Sequence, residues 1–299
     1  MLHTTRTALV RFTVPATFVA LSLLALAGCG EKKAEALRFS AIPDQNSTEL
    51  AEKFAPLAAH LTEALGMPVE YVPARDYQAT VEMFRNDDIQ LAWFGGLTGV
   101  QARESVPGAR AIAQGEADPR YFSYFIGNWS LDEGQHTRFP GYIGKYPFCF
   151  GSESSTSGRL MPEYFIRKFM GMSVLDFFEQ GIFFSGSHDK TIELVEAGQF
   201  KAGVVNYKVY DQRIKEGKTD PEKCRILWKT PTYSDYNWTA HPSLDERYGE
   251  GFVDKLQSAL IAIDDPGLLA ALPREKLIAA SNEEYEGIRE VALELGMLR

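Results

Sequence analysis

Four consecutive hydroxyls, Ser154-Ser-Thr-Ser157, followed by Gly158, form the densest polar run in the chain. Before them, Lys145–Phe150 reads as a buried strand. After them, Arg159–Met170 reads as a helix with Leu160, Tyr164, Phe165 and Phe169 at helical spacing. Pro162 is tolerated in a first helical turn. A strand that feeds a hydroxyl-rich helix start offers an anion free backbone N–H groups, the positive end of the helix dipole and hydroxyl donors. A plain helix cap needs only one such residue, so four in a row point to an anion site at Ser155, Thr156 and Ser157. The same residue types raise a second chemistry. Ser155 or Ser157 with His188 and either Asp189 or Asp235 would supply the members of a hydrolytic triad. The run is not a Gly-x-Ser-x-Gly elbow, and no other feature supports acyl transfer, so binding is favoured over a Ser/His hydrolase.

Other unusual residues fall at strand-to-helix turns: Arg75-Asp-Tyr77, Trp93-Phe-Gly-Gly96, Ser185-Gly-Ser-His-Asp189 and Asn206-Tyr-Lys208. In open parallel sheets ligands sit beyond the carboxyl ends of the strands, so these turns should line one crevice with the hydroxyl run. His188, at a helix start in a run that mirrors the hydroxyl turn, is expected to contact the ligand. Tyr77, Trp93, Tyr121, Tyr207 and Tyr236 are candidates for an aromatic wall. Phe94 and Trp238 are better read as core.

The elements that must position these residues alternate. Strands are expected at Leu37–Ile42, Val69–Val72, Ile89–Phe94 and Ala109–Ala113. Helices are expected at Thr48–Leu65, capped by Ser47 or Thr48, from Arg75-Asp-Tyr77 to Phe84 and at Leu97–Glu104. This order implies an α/β fold with a parallel sheet. A second domain begins near Phe125, with strands at Gly181–Phe184, Lys201–Val205 and Arg225–Trp228 and helices at Lys190–Ala197 and Val209–Glu216. Thr230–Trp238 reads as the return crossing. Helices are expected at Asp254–Ile263, Arg274–Ala280 and Glu283–Leu295.

The first 28 residues read as a leader, with Arg6 and Arg11 ahead of the apolar run Phe12–Ala27. Leu26-Ala-Gly-Cys29 resembles a bacterial lipobox, which makes Cys29 the expected lipidated first residue and 29–36 a polar tether. Loss of the leader removes two arginines and no acid, taking the formal charge from −9 to −11. Such acidity argues against nucleic acid and against a basic membrane patch. Cys149 and Cys224 sit in apolar runs and are expected as buried thiols rather than a disulfide. No metal-ligand spacing is present, and no cofactor is expected.

Asp76-Tyr77, Ala92-Trp-Phe-Gly95, Tyr121, Ser155-Thr-Ser-Gly with Pro162, and Ser185-Gly-Ser-His-Asp189 together resemble the phosphate/phosphite/phosphonate-binding group of ABC-transporter solute-binding proteins, most of all its selenate-binding members. The resemblance covers roughly residues 37–245. It implies a type II periplasmic-binding-protein fold with a hinged cleft between two α/β lobes, 37–123 with 232–299, and 124–231. It implies that Ser155, Thr156, Ser157 and His188 hold the oxyanion, with Tyr77 and Tyr121 in the cleft, and that the partner is a membrane permease. The expected protein is a monomer held to the membrane by its lipid. One departure matters. Where phosphonate binders carry an acid for the ligand's ammonium group, this chain has Asn206-Tyr207-Lys208. A lysine there would repel an aminoalkyl tail, which favours a compact inorganic anion of the selenate or sulfate kind. Phosphite or phosphonate is the alternative. The choice turns on a buried carboxylate acceptor, for which Asp235 is the candidate.

Overall fold

The computed structural model of the chain describes Leu2, residues 36–131 and residues 134–298. Apart from Leu2, the expected leader, Cys29 and nearly all of the tether lie outside the described residues. Two sheets organise the remainder. The first takes its strands from both halves of the chain: β1 (Leu37–Ala41), β2 (Val69–Tyr71), β3 (Leu91–Phe94), β4 (Arg110–Gly115), β10 (Asn237–Ala240) and β11 (Leu277–Ala279), in the order β11-β4-β10-β3-β1-β2. Its helices are α1 (Ser47–Leu65), α2 (Tyr77–Arg85), α3 (Gly96–Ser105), α8 (Ser243–Tyr248), α9 (Phe252–Ile261) and α10 (Glu286–Glu294). The second is built from one continuous stretch: β5 (Ser123–Asn128), β6 (Phe148–Phe150), β7 (Ile182–Phe184), β8 (Ala202–Asn206) and β9 (Cys224–Lys229), in the order β7-β6-β8-β5-β9. It carries α4 (Met161–Met170), α5 (Val174–Phe177), α6 (His188–Glu196) and α7 (Tyr207–Lys215).

Local chemistry accounts for the elements that frame the cleft. On α1 the buried residues Leu50, Phe54, Leu57, Leu61 and Leu65 recur at intervals of three and four and face the sheet. Its cap is Asn46, not Ser47 or Thr48: the Asn46 amide oxygen accepts from the N–H groups of Thr48 and Glu49. The helix ends at Gly66, whose φ of 73° is left-handed. Asp76 caps α2 by accepting from the N–H of Ala79 at 2.7 Å. Phe94 and Trp238 are fully buried, with Trp238 packed edge-on to Phe39 and Phe54. Cys149 and Cys224 are buried free thiols.

The sheets are mixed rather than parallel. β10 lies antiparallel between β3 and β4, where the sequence suggests only a returning crossover. Asn237-Trp-Thr-Ala240 has four residues, too few to show an alternating pattern. Arg274–Ala280 is likewise not a helix: Leu277–Ala279 pairs antiparallel with β4 as the sheet's edge. A short segment after Pro273 cannot repay helix nucleation, whereas the free edge of β4 supplies ready hydrogen-bond partners.

The chain passes between the sheets twice, and the two passages lie side by side. Tyr121 and Tyr233 exchange both backbone hydrogen bonds at 2.9 and 3.0 Å, and the N–H of Asp235 donates to the carbonyl of Asp118. The Asp118 carboxylate, fully buried, in turn holds Arg274 through the guanidinium at 2.8–3.0 Å. This pair ties the segment before β11 to the first passage. Removing one member of a buried ion pair strands the other charge. Asp118→Ala should therefore cost about 3–5 kcal/mol in urea unfolding. A loss below about 1 kcal/mol would mean that Arg274 reaches water once released.

Candidate functional site

The hydroxyl run begins with a wide turn. Ser155 occupies the cap, its Oγ accepting from the N–H of Gly158 at 2.9 Å, while its carbonyl accepts from the N–H of Leu160, five residues on. Such π-type turns are uncommon outside functional positions. The cap leaves the N–H groups of Thr156 and Ser157 at the open helix end. Ser155, Thr156 and Ser157 are all buried. The other expected turns meet here. Tyr77 opens α2 and lies buried beside Ser155, its hydroxyl without a hydrogen-bond partner. Thr156 Oγ1 accepts from the N–H of Leu97 on α3 at 2.9 Å. His188 Nε2 stands 3.5 Å from Ser157 Oγ.

His188 is fully buried, and burial pushes its pKa down to about 3, so the ring is neutral. Its Nδ1 accepts from the backbone N–H of Asn206 at 3.3 Å. That bond places the ring proton on Nε2, facing the hydroxyl turn. A hydrolase would need the reverse arrangement, a basic Nε2 lone pair towards the serine and a carboxylate on Nδ1. Here the imidazole is a donor, suited to an anion and unsuited to deprotonating Ser157.

Opposite the hydroxyls the wall is aromatic. Trp93 stacks on Tyr236 at 5.5 Å, and Tyr121 lies 5.3 Å from Tyr236, its hydroxyl buried and unpartnered. The Arg274 guanidinium covers Trp93, Tyr121 and Tyr236 from 4.8–5.4 Å. The Tyr236 hydroxyl receives a hydrogen bond from the Asn206 amide and donates to Asp44 Oδ2 at 2.8 Å. The main chain adds a bond between the lobes here, from the N–H of His188 to the carbonyl of Asp44.

Asp235 lies inside this enclosure. Its Oδ1 accepts from the N–H of Gly96 at 2.8 Å, and its Oδ2 is buried with no partner. Burial raises its pKa to about 7, and the Thr156 and Ser157 hydroxyls beside it offset part of that rise. Asp44 is raised to about 6 for the same reason, against the opposing hydrogen bond from Tyr236.

Nine of the residues proposed from sequence thus converge: Tyr77, Trp93, Tyr121, Ser155, Thr156, Ser157, His188, Asn206 and Tyr236. The other two lie at its edge. Tyr207 is only half-buried; its ring lies 4.8 Å from Tyr121 and stacks on Phe122 at 3.9 Å. Lys208 is also only partly buried. Its Nζ sits over the Tyr207 ring at 5.4 Å, and it lines an outer groove with Lys53, Asp211 and Lys215. Asn206, as the last residue of β8 and the cap of α7, is the member of that turn directed inward. Lys208 is thus not among the residues gathered around the hydroxyl turn. Asp44, Asp118 and Arg274 were not foreseen. Asp44 lies in the turn after the first strand, where the rule applied to the later turns would have found it. Arg274 has no local signal, because only the long-range pair with Asp118 brings it to the cleft.

Two mixed α/β lobes joined by paired passages, with a polar cleft between them, constitute the periplasmic-binding-protein fold. The comparisons refine this. A family profile described as ABC transporter, phosphonate, periplasmic substrate-binding protein matches residues 39–285, and the chain belongs to that family. The probable ABC transporter phosphite binding protein PhnD1 of Prochlorococcus marinus is 37% identical over 270 residues, 88% of this chain and 91% of that protein. The phosphate-import protein PhnD of Mycolicibacterium smegmatis is 27% identical over 244 residues, 75% of this chain and 70% of that protein. The structure of P. marinus PhnD1 in complex with methylphosphonate superposes with a TM-score of 0.83, covering 89% of this chain and all of the other. Such proteins are substrate-binding components of ABC transporters, partnered by a permease, and not enzymes. Among the described residues no helix is long and apolar enough to cross a membrane.

The raised pKa of Asp235 has a signed consequence. A carboxyl group whose folded pKa lies above its unfolded value of 3.8 contributes stability below that value and loses it as pH rises towards 7. Asp235→Asn keeps an acceptor for Gly96 and removes the titration. Without anion present, the variant should melt at least about 2 °C above the parent at pH 8, with the gap closing near pH 4. A gap independent of pH would show that Asp235 carries its charge without penalty.

Proposed function

We propose that this chain captures a small phosphorus oxyanion, phosphite or a compact phosphonate, outside the cytoplasm and delivers it to its permease. The tetrahedral group would sit on the open helix end at Thr156 and Ser157. The Ser155 and Ser157 hydroxyls, Tyr77 and the Nε2–H of His188 would donate to it. The observation that carries the reading is Asp235, a buried carboxylate with a free Oδ2 against the hydroxyl turn. Sulfate and selenate bring no proton and are very weak bases, so they set acceptor against acceptor. A phosphorus oxyanion titrates near neutrality, as this carboxyl group does, and can share a proton with it. The selenate- or sulfate-like ligand favoured by the sequence therefore yields to the phosphorus alternative, which the relatives' ligands also support. A compact substituent is favoured because the wall facing the hydroxyl turn is closed by Trp93, Tyr121 and Tyr236. Asn206, in the turn where an ammonium acceptor is expected, is neutral.

Calorimetry over phosphite, methylphosphonate, phosphate, 2-aminoethylphosphonate, sulfate and selenate tests this. Phosphite or methylphosphonate should bind at least tenfold, about 1.4 kcal/mol, more tightly than sulfate or selenate. Sulfate or selenate binding as tightly as either would overturn the reading. Ser157→Ala should cost about 1–3 kcal/mol of affinity, as for hydrogen bonds to charged groups.

The Leu-Ala-Gly-Cys29 sequence supports a lipid anchor in the same reading. Cys29→Ala should move the protein from the membrane fraction to the soluble one with its ligand affinity intact. Retention of the variant on membranes after a salt wash would remove the anchor from the proposal.

A further inference from the structure

The three hydroxyls of the binding turn are not equivalent. Ser155 Oγ accepts from its own turn, and Ser157 Oγ lies against His188 and beside Asp235; neither receives a hydrogen bond from α3. Thr156 is engaged on the opposite side. Its Oγ1 accepts from the N–H of Leu97, in the first turn of α3 on the other lobe, and it lies beside the Asp235 carboxylate. That carboxylate takes the preceding N–H, of Gly96. Successive amides at the start of α3 are thus held by one oxygen from each side of the cleft. The approach depends on glycine. A methyl group at Gly95 would stand 3.1 Å from Thr156 Oγ1 and 3.3 Å from Asp235 Oδ1. One at Gly96 would meet the carbonyl of Ser234 at 3.1 Å and Ile288 Cγ1 at 3.3 Å, both on its own lobe, before Thr156 Cγ2 at 3.4 Å. The Gly95 contacts are tighter than ordinary van der Waals distance, so a methyl group there would press directly against the Thr156 hydroxyl.

We propose that the Thr156 side chain, unlike its backbone N–H, is a positioning group and not a ligand donor: its hydroxyl clasps the binding turn to the Gly95-Gly96 start of α3 and so couples anion seating to lobe closure. This rests on the phosphorus-oxyanion reading for the ligand, but the clasp belongs to the protein alone. A lost donor to the oxygens that phosphite and methylphosphonate share would weaken both alike, as a lost clasp would, because each depends on the same closed state. A clasp differs in that its loss is not additive with a change at the cleft glycine and is felt by the protein without ligand.

Thr156→Val, Thr156→Ser, Gly95→Ala and the Thr156→Val/Gly95→Ala double variant test the assignment against phosphite and methylphosphonate. Thr156→Val and Gly95→Ala should each lower affinity about tenfold for both ligands. The double variant should be no worse than the weaker single one, since both break one contact. Thr156→Ser, which keeps the hydroxyl, should bind within a factor of about three of the parent. Additive losses, or a Thr156→Val loss confined to one ligand, would make Thr156 a ligand contact and overturn the clasp. Exchange of the Leu97 amide, followed by NMR without anion, supplies the arm independent of ligand. It should quicken at least tenfold in Thr156→Val and stay slow in Ser157→Ala. Unchanged Leu97 protection overturns the clasp even if no phosphorus oxyanion binds, and quickened exchange in that event supports it while the ligand assignment alone fails.

Discussion

A charge taken out of water must be met by partners already in place, and this cleft meets that constraint almost entirely with neutral donors. Burial holds His188 uncharged, and the bond from Asn206 aims its remaining proton. The Ser155 cap fixes the hydroxyl turn so that two amides stay open. A buried cation nearby, Arg274, is neutralised by Asp118 and faces the aromatic rings. On the proposed reading, an acidic protein would hold an anion without a cluster of arginines. What it needs is fixed dipoles and the exclusion of water.

The same economy explains the two carboxylates. Asp44 and Asp235 would repel an anion if both were ionised, yet each is raised towards neutrality by its surroundings. Protons rather than side-chain positions then set the charge of the cleft. The aromatic wall contributes by excluding water, although its Tyr121 hydroxyl is a buried donor without a partner.

Much of this was legible in the sequence because strand-to-helix turns announce themselves through hydroxyls, glycines and caps. Ser155–Ser157, His188 and Asn206 were found by that rule, and Asp44 obeys it. The misplaced residues share another property: their positions are set by distant partners. Lys208 follows the inward Asn206 by two positions on a helix, so its direction depends on how α7 packs. Arg274 stands in an irregular segment and is defined by Asp118, 156 residues earlier. The strand β10 was missed because only its neighbours, β3 and β4, make four residues into a central strand.

That insertion has a temporal side. As the chain emerges from its N-terminus, β1, β2, β3 and β4 appear first, but β3 and β4 are not joined into one sheet until residues 237–240 arrive between them. The second sheet, drawn wholly from residues 123–229, is complete earlier. Its contacts are closer along the chain and carry the smaller loop-closure cost. Synthesis order and assembly order are thus reversed: the half that starts the chain finishes last. Until then it exposes unpaired edges on β3 and β4, surfaces prone to pair with other chains.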